Sequence, residues 1–299
     1  MRTRTLLCTA FALVAFAANS LLCRQALGHT AIDAASFSTI RLASGAAALL
    51  VITWGRGRRP IGLRGTWRSA ALLFLYAVPF SFAYVSLSAG TGALILFAAV
   101  QATMFAGALR SGARPHVVQW AGLILALLGL VYLVMPGLAA PSPLGCALMT
   151  LAGGAWGVYS LRGGGAADAL AETSGNFIRA LPLAAGISIA TAGHAVWSVE
   201  GAMLAVLSGA LASGLGYVAW YVAMSGLSVT RAATVQLAVP VLAAVGGVAF
   251  LGERITARLI VGALLILGGV ALALTRTERR RRRPLPPAAQ SRSGRKEGS

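Results

Sequence analysis

Three stretches of this 299-residue chain leave little room for a soluble fold. Residues 69–109 and 117–161 contain no Asp, Glu, Lys or Arg, and residues 201–252 contain only Arg231. An apolar run of about 18 residues reads as a membrane span, so each stretch is long enough for two. The chain is 58% hydrophobic and 11% charged, against about 25% charged in an ordinary soluble domain. That supply cannot cover a solvated surface, and the expected fold class is an all-α membrane protein.

Turn residues and charges divide the sequence into about ten transmembrane helices, near 5–23, 34–54, 69–88, 91–109, 117–135, 143–161, 174–193, 202–223, 228–251 and 257–275. Ser88-Ala89-Gly90-Thr91 separates the third from the fourth, and Pro136-Gly137 with Pro141 and Pro143 separates the fifth from the sixth. The eighth and ninth part within Ser225–Arg231. Residues 1–23 also fit a cleaved signal peptide, with Arg2 and Arg4 before an apolar stretch and small residues. Their counterpart in the second half, described below, argues for a retained span.

The formal charge of +18 invites a nucleic-acid reading. Its distribution argues against one. Nine of the 25 basic residues follow Thr275, and Arg56, Arg58, Arg59, Arg64 and Arg68 share one short loop. Such clusters beside apolar spans set topology and attract anionic lipid headgroups. No aromatic stacking platform accompanies them, so lipid and not nucleic acid is the expected partner. With the N-terminus inside, and the tail set aside, eleven basic residues fall on the inner side and three (Arg24, Arg254, Arg258) on the outer. Both termini are therefore expected in the cytoplasm, of a bacterial inner membrane. Residues 276–299, with Pro284, Pro286, Pro287 and the Arg280–Arg283 run, read as a disordered basic tail.

The chain also matches itself. At an offset of 138, Leu13 meets Leu151, Ala17 meets Ala155, Arg24 meets Arg162, and Ile40-Arg41 meets Ile178-Arg179. At an offset of 140, Leu87-Ser88 meets Leu227-Ser228, Gly112 meets Gly252, Arg114 meets Arg254, Gly122 meets Gly262 and Gly129 meets Gly269. Two five-helix repeats are expected, residues 1–137 and 138–275. An odd number of spans per repeat makes the copies enter the membrane in opposite senses, a recurring plan of secondary transporters.

Val235-Gln236-Leu237-Ala238-Val239-Pro240-Val241, Phe250-Leu251-Gly252-Glu253-Arg254-Ile255-Thr256 and Gly262 to Gly269 resemble the EamA branch of the drug/metabolite transporter superfamily. The resemblance runs over roughly residues 5–275. It implies two five-helix repeats with both termini inside, and transport of small molecules. The first half departs from the pattern: Gly112-Ala113-Arg114 stands where the second has Gly252-Glu253-Arg254. Glu253 falls at a membrane edge, which favours a loop or helix-capping role over transport chemistry.

Within the spans, charge is costly, about 2.5–3.5 kcal/mol for an arginine at the centre on insertion scales. Arg41 and Arg179 occupy matching positions and are the sharpest candidates to bind an anionic group such as a substrate carboxylate. The alternative is that they snorkel to headgroups or bond neighbouring carbonyls. Asn19, Tyr84, Gln101, Trp156, Tyr159, Asn176, Tyr217 and Gln236 are further candidates for the lining of a substrate cavity. Trp156 and Tyr159 are one turn apart and match a Trp/Tyr feature that the resembling family often carries in its sixth span. Aromatic residues near span ends also serve as interfacial anchors, and Gln101 and Gln236 as interhelical hydrogen-bond donors.

No His-Glu-x-x-His, Gly-x-Ser-x-Gly or intramembrane carboxylate pair is present, so an enzyme is not expected. There is no P-loop motif for ATP. Cys8, Cys23 and Cys146 have no metal-binding or redox spacing, so neither cofactor nor metal is expected. The leading expectation is a secondary transporter, an exporter or permease of small organic metabolites such as amino acids or drugs. The alternative is a non-transporting receptor or scaffold that binds a small ligand.

Overall fold

In hydrocarbon, every backbone N–H and C=O needs a partner within the protein, and a helix supplies them all within one segment. A computed structural model describes residues 3–55, 64–110, 112, 116–135, 140–163, 168–224, 226–227 and 235–274, and no strand occurs among them. Arg56, Arg58, Arg59, Ala113, Arg114, Pro136-Gly137, Arg231 and residues 276–299 lie outside the described residues. The helices are α1 (Thr3–His29), α2 (Ala34–Gly55), α3 (Trp67–Tyr84), α4 (Ala89–Arg110), α5 (Val117–Val134), α6 (Pro143–Gly163) and α7 (Ala169–Ala190). They continue with α8 (Val199–Met224), α9 (Ala238–Leu251) and α10 (Ala257–Leu274). Within α8, Ser208–Leu215 is wound as π-helix.

Helices α1, α2, α4, α6 and α8 are long and apolar enough to cross a membrane, while α5, α9 and α10 are shorter apolar helices. The outer surface is itself apolar: Leu7, Val245 and Leu264 are more than half exposed. Water would penalise that surface and lipid does not. The chain is an integral membrane protein.

Two helix ends differ from the sequence expectation, for one physical reason. α1 runs on through Arg24 to His29, and α7 begins at Ala169, with the Asp168 side chain accepting from Ala171 N at 3.2 Å. A charge marks where apolar sequence stops, but a helix continues past that point wherever its backbone bonds can close.

The helices associate in a regular pattern. α6 packs against α3 and α4, and α1 packs against α8 and α9. α2 pairs with α7, α4 with α9, and α5 with α10. Small residues make these approaches possible, since association in lipid depends on close packing. Gly153 and Gly157 face α4, where added Cβ atoms would lie 2.5 Å from the Leu96 carbonyl oxygen and 2.8 Å from Thr103 Cβ. Between α5 and α10, Gly129 abuts Leu265 and Ile266, while Gly269 abuts Gly122 and Ala126. Gly112 and Gly252 follow α4 and α9 with φ of 84° and 63°, the left-handed conformation that ends helices and that glycine adopts without strain.

Asp33 ties the α1–α2 turn to the segment before α8. Its Oδ1 accepts from Ala35 N (3.0 Å) and Ser36 N (2.9 Å), and its Oδ2 from Val196 N at 3.1 Å. Burial pushes the carboxyl up, but these donors outweigh it and hold the pKa below its ordinary value. The contribution to stability is complete above the unfolded pKa of about 3.9 and fades as pH falls through the lower folded value.

The glycine packing generates a paired expectation. A Cβ at Gly269 would lie 2.5 Å from Ala126 N and 2.6 Å from Gly122 O, both backbone atoms, whereas one at Gly268 meets nothing within 4 Å. Gly269→Ala should destabilise by about 1–3 kcal/mol through overpacking. Gly268→Ala should leave stability unchanged or raise it by up to about 1 kcal/mol. Thermal unfolding of the two detergent-purified variants separates them.

Candidate functional site

Arg41 lies seven residues into α2, about 10 Å along the helix axis, and its exposure is 1%. Its Nε donates to Ser213 Oγ and its Nη2 to Tyr76 Oη, both at 3.1 Å. The guanidinium carbon stands 5.3 Å from the Tyr76 ring centroid and 4.9 Å from that of Phe80. Each such contact is worth about 0.5–2 kcal/mol, depending on desolvation. No acidic side chain pairs with Arg41 among the described residues, and its Nη1 has no hydrogen-bond partner there. A buried charge without a counter-ion costs several kcal/mol, which two hydroxyls and two ring faces offset only in part.

Four helices position it. On α1, Asn19 donates from Nδ2 to the same Tyr76 hydroxyl at 3.2 Å and accepts from Ser208 Oγ at 2.5 Å. Ser208 and Ser213 belong to the π-wound stretch of α8, and such stretches recur at functional sites because they reorient side chains. Gly209, in that stretch, lies so close to the Arg41 carbonyl that no Cβ would fit. On α3, Pro79 interrupts the backbone ladder one residue before Phe80. Backbone irregularity in two helices thus converges on the Arg41 side chain.

Aromatic rings surround the polar group. Trp156 on α6 lies 4.9 Å from Tyr76, 4.7 Å from Tyr217, 5.9 Å from Phe16 and 5.7 Å from Tyr159, between centroids. Tyr76, Phe80 and Tyr84 recur every four residues along one face of α3, with centroids 5.4 Å and then 4.8 Å apart.

The two ends of α3 carry different arrangements, about 22 Å apart along fifteen residues. At the Tyr84 end, Arg24 Nη1 donates to the Tyr84 and Val85 carbonyls (3.1 and 3.2 Å), and its Nε stands 3.4 Å from Glu253 Oε1. Glu253 also accepts from Ala89 N at 2.9 and 3.0 Å, capping α4. At the Ser69 end, Arg162 Nε donates to Ser69 Oγ at 3.3 Å and a cleft opens between α3, α6, α7 and α8.

The sequence candidates divide among these places. Asn19, Arg41, Trp156 and Tyr217 come together in the interior. Tyr159 and Asn176 line the cleft, with Asn176 Nδ2 donating to Tyr159 Oη at 3.3 Å and its Oδ1 accepting from Thr66 N at 3.1 Å. Arg179, near that end, donates from Nη1 to the carbonyls of Arg64 (3.1 Å) and Gly175 (3.0 Å). Its surroundings therefore differ from those of Arg41 although the two positions match in sequence. Tyr84 lies at the Arg24 end, and Gln101 and Gln236 are buried on α4 and just before α9. Sequence reasoning passed over Tyr76, Phe80, Ser208 and Ser213. The four-residue spacing of aromatics on α3 was the available signal. The serines carried none, because only the π winding brings them to Arg41. Among the described residues, no group of three His, Cys, Asp or Glu is placed to hold a metal ion.

Residues 143–275 match the EamA-like transporter family. An uncharacterized protein of Pseudomonas aeruginosa is 52% identical over 271 residues, covering 91% of this chain and 94% of its own. The threonine/homoserine exporter RhtA of Escherichia coli is 34% identical over 154 residues, half of this chain and 51% of the exporter. RhtA of Salmonella typhimurium matches over a similar extent at 33%. The chain thus aligns with about half the length of these exporters. A solved crystal structure shares the fold with a TM-score of 0.66 and 21% identity, covering 95% of this chain and all of that one.

The Tyr76 hydroxyl accepts from both Arg41 and Asn19. Tyr76→Phe keeps the ring and removes that acceptor. It should cost about 1–3 kcal/mol, the penalty for stranding buried donors, read as a lower thermal midpoint in detergent. An unchanged midpoint would mean that the two side chains find other acceptors.

Proposed function

The chain belongs to the EamA-like transporter family and is a small-molecule transporter, and we propose that it exports small metabolites carrying a carboxylate, amino acids foremost, by alternating access. Arg41 would receive the carboxylate. The observation that carries this reading is a fully buried guanidinium with an unused Nη1 and no acidic partner among the described residues. A charge-assisted, two-pronged contact would offset much of the cost of burying it. Asn19, Tyr76, Ser213, Trp156 and Tyr217 would bound the rest of the cavity. The similarity to threonine/homoserine exporters over half the chain favours amino acids.

We further read residues 1–137 and 138–275 as two inverted five-helix repeats. The principal helix pairs named above support this, because that set maps onto itself when α1–α5 are exchanged for α6–α10. Arg24 and Arg162, matched in sequence, lie at opposite ends of α3, as inversion requires. Gly112 and Gly252, also matched, share a positive φ. On this reading both termini and the Arg162 end face the cytoplasm, and the basic tail binds anionic lipid. The Arg24–Glu253 tie would hold the far side closed while substrate loads. Its release would open that side.

Proteoliposome counterflow with a panel of amino acids, including L-threonine and L-homoserine, tests the proposal. Flux of at least one is expected. Arg41→Ala should lower it at least tenfold, about 1.4 kcal/mol of lost binding. Arg179→Ala should stay within about threefold, since its guanidinium is already engaged by backbone carbonyls. No flux across the whole panel, with the protein folded and reconstituted, would overturn the amino-acid reading.

A further inference from the structure

Two polar atoms on α8 are buried with nothing to bond. The Tyr217 hydroxyl and the Trp220 indole Nε1 belong to side chains that are 1% and 3% exposed, and neither has a hydrogen-bond partner among the described residues. A buried polar group left this way costs about 1–3 kcal/mol. The two residues are three apart in the regularly wound stretch Gly216–Met224, so they share one face of the helix. The Tyr217 hydroxyl lies within electrostatic range of Arg41 and Tyr76, and near Ser213 without being aligned to bond it. Ser213, four residues before Tyr217, is the residue that accepts from Arg41 Nε. The serine that holds the guanidinium is thus followed along α8 by a phenol and then an indole, both unused.

The chemistry of these atoms narrows what can satisfy them. An indole N–H only donates, whereas a phenol hydroxyl donates or accepts. One oxygen that accepts from Trp220 and shares a hydrogen bond with Tyr217 completes both, and a methyl group completes neither. A second carboxylate would bring a charge that two neutral rings do not balance, and an ammonium cannot accept from the indole. The surroundings are otherwise apolar. Phe16 on α1 packs edge-on against Trp156, Tyr217 and Trp220, with centroids 5.9, 6.0 and 5.7 Å away. An apolar pocket alone separates isosteres poorly, but buried donors that a substrate must complete reject the analogue that cannot do so. We propose that Tyr217 and Trp220 form the side-chain specificity subsite of this transporter. They select α-amino acids whose side chain carries a neutral oxygen, as a hydroxyl or an amide, over those whose side chain is hydrocarbon.

This assignment rests on the amino-acid reading above and adds to it how the side chain is recognised once Arg41 holds the carboxylate. Phe16 lies against both rings in this structure, so a side chain enters as α1 draws back from α8. Alternating access supplies a motion of that kind.

Competition counterflow in proteoliposomes tests the subsite. A radiolabelled amino acid that the chain carries is challenged with unlabelled pairs matched in shape: L-threonine with L-valine, L-homoserine with L-norvaline, and L-asparagine with L-leucine. In at least one pair the oxygen-bearing member should compete at least tenfold more strongly, about 1.4 kcal/mol. Trp220→Phe removes the indole N–H and Tyr217→Phe the hydroxyl, and each should cut that ratio by about threefold or more. The ratio is the readout because loosened packing weakens both members of a pair alike. Gel-filtration profile and thermal midpoint confirm that each variant is folded, and Tyr217→Phe decides the matter if Trp220→Phe is not. Should the hydrocarbon members compete equally well against the unsubstituted chain, or a folded variant leave the ratio unaltered, the subsite is overturned while the amino-acid reading stands. If the unsubstituted chain carries no amino acid of the panel, both fall together.

Discussion

The interior of this protein is organised around one guanidinium with nowhere to put its charge. Placing Arg41 inside an apolar bundle without a carboxylate leaves only weaker compensation: hydroxyls from Tyr76 and Ser213 and the faces of two rings. Those partners come from α3 and α8, which must approach α2 closely to reach it. Close approach explains why Gly209 faces the Arg41 backbone, and why α8 departs from regular winding where it passes. Asn19 then joins α1 to the same hydroxyl, so four helices share one polar group. A well-packed apolar core of the same size is often at least as stable, and the proposed carboxylate site is what would use the retained charge.

The two ends of α3 contrast in a way that follows from single residues. At one, Glu253 serves two donors at once, the Arg24 side chain and the Ala89 backbone, and so fastens the α9–α10 connection to the start of α4. At the other, a matched arginine rests on a serine hydroxyl at 3.3 Å beside open volume. Related sequences at both ends have therefore produced a bolt and a recess.

Much of the architecture was legible because membranes impose simple rules. Long uncharged runs became helices, the small-residue face of Gly153 and Gly157 became a helix contact, and Glu253 became a cap as its edge position suggested. The site was legible only in part. Arg41 stood out because charge is rare there, but Arg179 carries the same signal in a different setting, satisfied by two carbonyls. Sequence spacing fixes which turn a residue occupies and leaves open which neighbour crosses it. Tyr76 and Phe80 were missed because aromatic residues are common in spans, and Ser208 and Ser213 because an ordinary α-helix would place them differently. Helix ends at Arg24 and Glu172 were misjudged since charge marks a lipid boundary and not a backbone one.

The π winding of α8 has a consequence for the history of this chain. Such a stretch is equivalent to extra backbone slipped into a helix, and everything beyond it is rotated relative to everything before. Excising one residue between Ser208 and Leu215 would turn Tyr217 and Trp220 by about 100° about the helix axis, carrying Tyr217 away from Trp156 and Trp220 away from Phe16. A length change that an exposed loop would absorb unnoticed would there redraw the aromatic wall, so the spacing of this segment is held by geometry more tightly than the identity of most residues within it.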